Sequence, residues 1–557
     1  MRARNFHVAW TLVALNWFGG MCPAATHTEG DGRHTVTWDA GGTPPAKCEL
    51  VLTTRPGAAL IERLSISGTD VLRGADIEFA VTVGSRKPAL HTEPFRYVFF
   101  DKPAGREHKR HVASLAREPA RVEIPGGGRQ LAVRVGKMTA GPFGGDLILR
   151  VYDGCPLVHV TAELTPVGEN LAYIYDAQVV GGGVERVAWE ELGIKDEKPR
   201  LVRADKMPAA GTPVAVRWRT IVGERGGGSV AVFPPPHAFF FPRDRTDNFK
   251  FAQYGDDRFG LRQDPAGGGA FVPWIDAPNG KAQRMGLFLL PSPTDAARAI
   301  ERVKRYTRGD RFADVPGYRT FTSHYHSRLA VGEMAGKSPT AELARVFKAM
   351  NVNIVHLAEF HGDGHWNHPG DVRLNEMKAM FDLCKAHSDS DLLLVPGEEG
   401  IRYMAHPWPP EPKIHPGHWM YLFPKPVYLT WVRGEGQPLS EDLPGYGKVW
   451  HVGSRDDMLA VLRAERGMGW TTHPRIKASF KTPDAFKDQP WFGELWLGGA
   501  WKAMPADLSD DRLGRRCLDL LDDMLNWSVT GGYPLRRLPG EVDVFEIDRT
   551  HELYGHM

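Results

Sequence analysis

Histidines and carboxylates in the second half of the chain stand directly after segments that read as β-strands. His324 and His326, in Thr322-Ser-His-Tyr-His326, end the first such segment, and a His-x-His pair in extended chain points both imidazoles to the same side. Glu359 and His361 end the second. Later strands end at Glu398 and Glu399 in Val395-Pro-Gly-Glu-Glu-Gly400, at His473 in Thr471-Thr-His-Pro-Arg475, and at Asp543. Imidazole nitrogens and carboxylate oxygens bind divalent metals, and one carboxylate can bridge two ions, so this order predicts a multinuclear metal site.

Two basic residues follow one of these proposed ligands. Arg475 and Lys477 lie just beyond His473 and can bind an anionic substrate or leaving group through forked and point-charge contacts. Each feature also has an ordinary alternative. A His-x-His pair can be structural, Glu398-Glu399 can form a solvated turn, and Arg475 with Lys477 can belong to a solvated loop.

The elements that would position these residues divide the chain into two halves. Residues 30–291 favour short alternating runs such as Leu147-Ile-Leu-Arg-Val-Tyr152 between glycine-rich and proline-rich turns, which is typical of an all-β sandwich. Residues 292–317 form a helical connector. From residue 318 to 557 strands and helices alternate, which predicts a parallel α/β sheet, most simply a distorted TIM-like barrel with its catalytic groups at one face.

Composition and the first residues bound the remaining possibilities. The chain has 557 residues, 42% of them hydrophobic, and 69 basic against 67 acidic side chains, so disorder and nucleic-acid binding are not expected. Residues 1–25 carry Arg2 and Arg4, an apolar stretch from Val8 to Phe18 and small residues up to Ala25, the pattern of a secretory signal. We therefore expect a secreted or periplasmic protein without a membrane span.

From about Tyr318 onward the order of motifs resembles the polymerase-and-histidinol-phosphatase (PHP) superfamily of metal-dependent phosphoesterases. The secreted carbaryl-hydrolase-like branch, in which a β domain precedes the PHP barrel, is the most similar. The resemblance implies two or three divalent ions, Zn, Mn or Fe, held by His324, His326, His361, Glu399, His418, His473 and Asp543. The family usually has an aspartate directly before the histidine of its second motif, whereas this chain has Glu359-Phe360-His361, and Glu359 is counted among the candidate ligands. For the last motif, Asp543 with His556 is favoured over Asp548 and His551.

Two functions follow from these patterns. The first is hydrolysis by a metal-activated water, which the PHP resemblance implies, on phosphoester or carboxyl or carbamate ester bonds of a small or glycan-linked substrate. The alternative is a carbohydrate-binding or polysaccharide-processing protein whose site lies in the β domain. That half, with Trp189, Trp218 and Trp274, is similar to the carbohydrate-associated supersandwich of mutarotase-like proteins, and aromatic faces can stack on sugars.

Overall fold

The structure of the chain is a computed structural model. The residues that it describes are 25–42, 45–85, 107–117, 119–124, 129–191, 200–235, 250–265, 275–309, 311, 313–314, 316–326, 344, 347–348, 351–357, 360, 364–400, 404, 418–472, 482–500, 514–531, 544–547 and 553–554.

Up to Ser292 the described chain is built of β-strands. They are β1 (Thr26–Gly30), β2 (Arg33–Asp39), β3 (Lys47–Thr53), β4 (Ile61–Ile66), β5 (Thr69–Ser85), β6 (His108–Val112), β7 (Ser114–Leu115), β8 (Ala120–Glu123), β9 (Gln130–Ala140), β10 (Phe143–Tyr152), β11 (Cys155–Pro166), β12 (Leu171–Gly181), β13 (Arg186–Glu191), β14 (Arg200–Ala204), β15 (Thr212–Val214), β16 (Ile221–Arg225), β17 (Gly228–Phe233), β18 (Ala252–Gly255), β19 (Arg258–Leu261), β20 (Ile275–Ala277) and β21 (Gln283–Ser292).

These strands form two antiparallel sheets. The first sheet has the order β1-β2-β3-β4-β5-β12-β19-β18-β15, with β6 on β5 and β20 on β12. The second has the order β14-β13-β16-β17-β21-β11-β10-β9-β7, with β8 on β9. Because successive side chains of a strand point to opposite faces, Phe79 and Val81 of β5 are buried on the inner face of the first sheet. The alternating sequence pattern thus forms a sandwich of two large sheets.

Tyrosines of β12 join the two sheets. The Tyr175 hydroxyl donates to the Gly286 carbonyl of β21 at 3.0 Å, and the Tyr173 ring packs edge-on against Phe143 of β10. Burial raises the pKa of Tyr175, so its hydroxyl stays protonated as a donor. Helix α1 (Ala296–Thr307) then covers β16, β17 and β21. Asp295 caps its N-terminus, because the Asp295 side chain accepts from the Arg298 N–H.

Beyond α1 the chain is mixed. The strands are β22 (Phe321–His326), β23 (Ile354–Leu357), β24 (Leu393–Val395), β25 (Glu398–Gly400), β26 (His418–Leu422), β27 (Tyr428–Thr430), β28 (Ser440–Leu443), β29 (Gly447–His451), β30 (Met468–Thr472), β31 (Trp496–Ala500), β32 (Val544–Ile547) and β33 (Leu553–Tyr554). The helices are α2 (Asp371–His387), α3 (Arg455–Ala464), α4 (Phe492–Leu495) and α5 (Gly514–Gly531). Within the described chain no helix is long and apolar enough to cross a membrane.

The predicted TIM-like barrel is not found in the described part of the chain. One sheet, β24-β23-β22-β32-β33, is parallel except for β33, as alternating strands and helices predict. A second sheet, β25-β26-β30-β31, breaks the pattern because β26 runs antiparallel to both β25 and β30. A small third sheet has the order β27-β29-β28. The protein is therefore a mostly β, multidomain molecule with α/β features in its second half.

Candidate functional site

Two predicted ligands meet in the second half of the chain. The pairing of β25 with β26 sets Glu399 opposite Met420 and places it on the same sheet face as His418. The Glu399 carboxylate and the His418 Nδ1 atom are 2.8 Å apart, and the Glu399 side chain is buried. Thr472, the residue before His473, lies opposite His418 on β30. Their roles as metal ligands remain predictions.

The neighbouring Glu398 points to the other face and has a different environment. Its carboxylate accepts from the buried Arg373 guanidinium at 2.6 Å and from the Trp431 indole N–H. Arg373 also donates to the Leu429 carbonyl at 2.8 Å. Burial raises the pKa of Glu398, and the arginine opposes that shift. The solvated turn considered for Glu398-Glu399 is therefore wrong, since both residues are buried in β25.

The other predicted site residues lie either in a different sheet from Glu399 or outside the described residues. His324 and His326 lie in β22, whose described neighbours are β23 and β32, so they belong to a different sheet from Glu399. The positions outside the described residues are Glu359, His361, His473, Arg475, Lys477, Asp543, Asp548, His551 and His556.

A polar pocket lies on the first sheet, on the face turned away from the second. It has a volume of about 440 Å³ and is lined by Thr82, His108, Arg110, Asp176, Gly211, Gln253, Asp256, Arg258, Arg262, Gln263 and Pro265. This volume falls in the range of about 300–1,000 Å³ that is common for small-molecule sites. Rigid strands carry most of the lining, because β5, β6, β12, β18 and β19 are adjacent in the sheet.

Ion pairs hold the arginines of this pocket in fixed directions. Arg110 donates through Nε and Nη2 to Asp176, both at 3.1 Å. Arg258 spans two carboxylates, with Nη1 2.7 Å from Glu78 and Nη2 3.0 Å from Asp256. Such charge-assisted contacts orient the guanidinium groups and leave their remaining N–H groups for a ligand.

Asp176 is the most enclosed carboxylate of the pocket. Its Oδ1 atom accepts from the Gln263 backbone N–H at 3.0 Å, and its side chain is 14% exposed. Burial raises the pKa of Asp176, while the backbone hydrogen bond and Arg110 lower it. Gln178, two residues along the same face of β12, is buried, and neither of its amide atoms has a hydrogen-bond partner in the described chain. Hydrogen-bonding capacity therefore remains at this part of the sheet.

The sequence patterns described above do not predict this pocket. A usable signal was present in Leu171-Ala-Tyr-Ile-Tyr-Asp-Ala-Gln-Val-Val180, where Asp176 and Gln178 interrupt an apolar strand at a spacing of two. Polar residues at that spacing share one face of a strand. Their partners, Arg110 and Arg258, come from distant segments, and the sequence alone does not show that pairing.

No protein-family model and no curated protein matches the chain. Among solved structures, it is similar to the GH36 alpha-galactosidase AgaB from Geobacillus stearothermophilus at 10% identity and a TM-score of 0.33, over 90% of this chain and 71% of that one. It is also similar to a quadruple mutant of the alpha-N-acetylgalactosaminidase NagBb from Bifidobacterium bifidum, at 10% identity and a TM-score of 0.29, over 91% of this chain and 76% of that one. A third similar structure is a putative aldose 1-epimerase from Escherichia coli K12, at 10% identity and a TM-score of 0.23. The similarity extends over 46% of this chain and 99% of that one.

These findings correct the predicted family. The structures named are two glycoside hydrolases and a protein described as a putative aldose 1-epimerase rather than PHP phosphoesterases, and no family model supports the PHP superfamily. The PHP assignment is wrong, and the phosphoesterase chemistry, the zinc or manganese centre and the TIM-like barrel that it implied lose their basis. Similarity at these TM-scores assigns no activity to this chain.

Proposed function

We propose that the protein binds carbohydrate in the polar pocket of the first sheet. The observation that carries the proposal is the composition of the lining, which combines guanidinium and amide donors with carboxylate and amide acceptors. A sugar presents hydroxyl groups that both donate and accept, so each type of lining group finds a partner. This proposal takes up the alternative reading of the sequence, a carbohydrate-binding surface in the β domain.

The charges of the pocket favour a neutral saccharide over an anion. Arg110, Arg258 and Arg262 each contact a carboxylate, respectively Asp176, Asp256 and Asp264. A phosphate or sulfate group would gain the arginines but would also approach these acids, which repel it. The uncharged hydroxyl groups of a sugar are not repelled by these carboxylates.

Glycan binding can be tested with the full chain on a panel of neutral and acidic oligosaccharides. We expect binding to neutral members and its loss in Gln253→Ala and Arg110→Ala. Arg284→Ala is the matched control, because Arg284 is an exposed arginine of the second sheet paired with Glu163. Loss of a hydrogen bond that involves a charged group corresponds to about 1.5–3 kcal/mol, or roughly 10-fold to 150-fold in affinity. Equal binding by all four proteins would contradict the proposal.

Glycoside hydrolysis at the same pocket is a second candidate. Two carboxyl groups with different environments line it, Asp176 with a pKa raised by burial and Asp256 with a 62% exposed side chain. Glycosidases use such a pair, one carboxyl as an acid and the other as a base or nucleophile. The test is release of the aryl group from aryl glycosides. Hydrolysis that persists unchanged in both Asp176→Asn and Asp256→Asn would rule out this assignment.

A further inference from the structure

The first hairpin of the chain gathers two histidines and a glutamate on one face. His27 and Glu29 alternate on β1, and Glu29 lies directly opposite His34 of β2. The strands are joined through Asp31 and Gly32, both with positive φ angles of 52° and 66°, which is the backbone of a tight hairpin turn. This register brings the three side chains together, since cross-strand and i, i+2 neighbours share a face.

One ring nitrogen of each imidazole lies within hydrogen-bond distance of the other. His27 Nε2 lies 3.1 Å from His34 Nδ1, and the rings are inclined by 16° with their centroids 5.3 Å apart. A carboxylate oxygen of Glu29 lies 3.8 Å from the same His34 Nδ1. One ligand atom from each of the three side chains, His27, Glu29 and His34, lies within 4.8 Å of the other two.

We propose that His27, Glu29 and His34 bind one divalent transition-metal ion. Two imidazole nitrogens at about 2.0–2.1 Å from a tetrahedral ion are separated by about 3.3 Å, close to the distance between His27 Nε2 and His34 Nδ1. One carboxylate oxygen completes a three-ligand set and leaves one position for water. Ligands of this kind suit cobalt, nickel and copper, whereas calcium and magnesium prefer all-oxygen sites.

The ion would fasten the edge of the first sheet. Among the described strands β1 is the terminal one of that sheet, and four of its five residues are exposed, so few apolar contacts hold it against β2. His34, in contrast, is buried and fixed within the sheet. A metal bridge from His34 to His27 and Glu29 would therefore suppress opening of β1. β2, which carries His34, is three strand pairings away from β5, so the site is separate from the polar pocket.

Titration of the metal-free full chain with Co²⁺ tests this site by its visible spectrum. We compare the unmodified protein with His27→Ala, because His27 is only partly buried and its removal leaves the core intact. The control is Thr28→Ala, on the opposite face of the same strand. The chain contains 22 histidines, so the informative quantity is the difference between the proteins. We expect one fewer Co²⁺ equivalent in His27→Ala, no change in Thr28→Ala, and binding at least about tenfold weaker in Glu29→Gln.

Hydrogen exchange gives a second readout. Co²⁺ should slow exchange of the β1 amides in the unmodified protein and in Thr28→Ala, and should have no such effect in His27→Ala. The proposal would be overturned if the unmodified protein and His27→Ala bound the same number of Co²⁺ ions. It would also be overturned if Co²⁺ did not change the hydrogen-exchange rates of the β1 amides. The pair would then be a hydrogen bond between two imidazoles only.

Discussion

Replacing Glu398 by alanine should destabilise the β25–β26 region strongly. Arg373 has no exposed side-chain surface, and Glu398 is its countercharge at 2.6 Å. The substitution would leave the guanidinium buried with the carbonyls of Leu429 and Trp366, at 2.8 and 3.0 Å, and with no opposite charge. It would also remove the acceptor of the Trp431 indole N–H.

The expected magnitude follows from these contacts. Removing one partner of a buried ion pair lowers the free energy of unfolding by about 3–5 kcal/mol. We expect the lower end of that range, because two carbonyl acceptors of Arg373 remain. A loss of about 3 kcal/mol corresponds to a rise of roughly 150-fold in the opening equilibrium. Arg373→Met combined with Glu398→Ala should be less damaging than Glu398→Ala alone, because no unpaired charge is left.

Native-state hydrogen exchange of the amides in β25 and β26 is the suitable assay, because a multidomain chain does not unfold in a single two-state step. Glu494→Ala is the control, since its pair with Arg463 is about half exposed and should contribute at most about 1 kcal/mol. An effect of Glu398→Ala no larger than that of Glu494→Ala, or strictly additive effects in the double variant, would refute this account of the buried pair.

Three further predictions concern other buried residues. Burial lowers the pKa of His356 to about 4, below the ordinary value of 6.5, so the neutral imidazole stabilises the fold fully above pH 6.5, and up to about 3 kcal/mol of stability is lost as the pH falls towards 4. In denaturation measured over this pH range, His356→Gln should lose less stability on acidification than the unmodified protein. An equal loss of stability in both proteins would contradict this. Gly397→Ala should destabilise the protein by about 1–3 kcal/mol in urea unfolding, because the added methyl group would overlap the His356 imidazole. Gly436→Ala is the comparison that measures the cost of backbone strain alone, since no atom lies within 4 Å of the added methyl group and the φ angle is 75°. Gln178→Leu should leave thermal stability unchanged or raise it, since its amide is unpartnered, and weakened saccharide binding in that variant would place Gln178 in contact with the ligand.

Local signals predicted several elements well. Ser454 stands before Met458, Leu459 and Leu462 in the sequence, a pattern that predicts a helix start, and it caps α3 by accepting from the Asp457 N–H. The run Met468–Thr472 after Gly467 has the composition of a strand and forms β30. The helical spacing of Leu374, Met377, Phe381 and Cys384 likewise predicts one face of α2, on which Leu374, Met377 and Cys384 are buried and Phe381 is partly exposed. In each case the information lies within one turn or one strand, where capping and periodicity operate.

Long-range arrangement could not be predicted in the same way. Nothing in the residues around His418 indicates that β26 runs antiparallel to β25, so a parallel barrel was the simpler interpretation. The Glu399–His418 contact depends on that pairing. The pocket likewise depends on the register of β5, β6, β12 and β19, which joins Arg110 to Asp176 across 66 positions of sequence. Sequence periodicity fixes which face a residue occupies but not which strand lies beside it.

Calorimetric titration of the full chain with the oligosaccharide that scores best on the glycan panel tests the central claim most directly. We predict one saccharide per chain for the unmodified protein and for Arg284→Ala, and affinity reduced at least about tenfold in Arg110→Ala. Saccharide binding with equal affinity in all three proteins, or none to any neutral member of the panel, would show that the pocket on the first sheet is not a carbohydrate site.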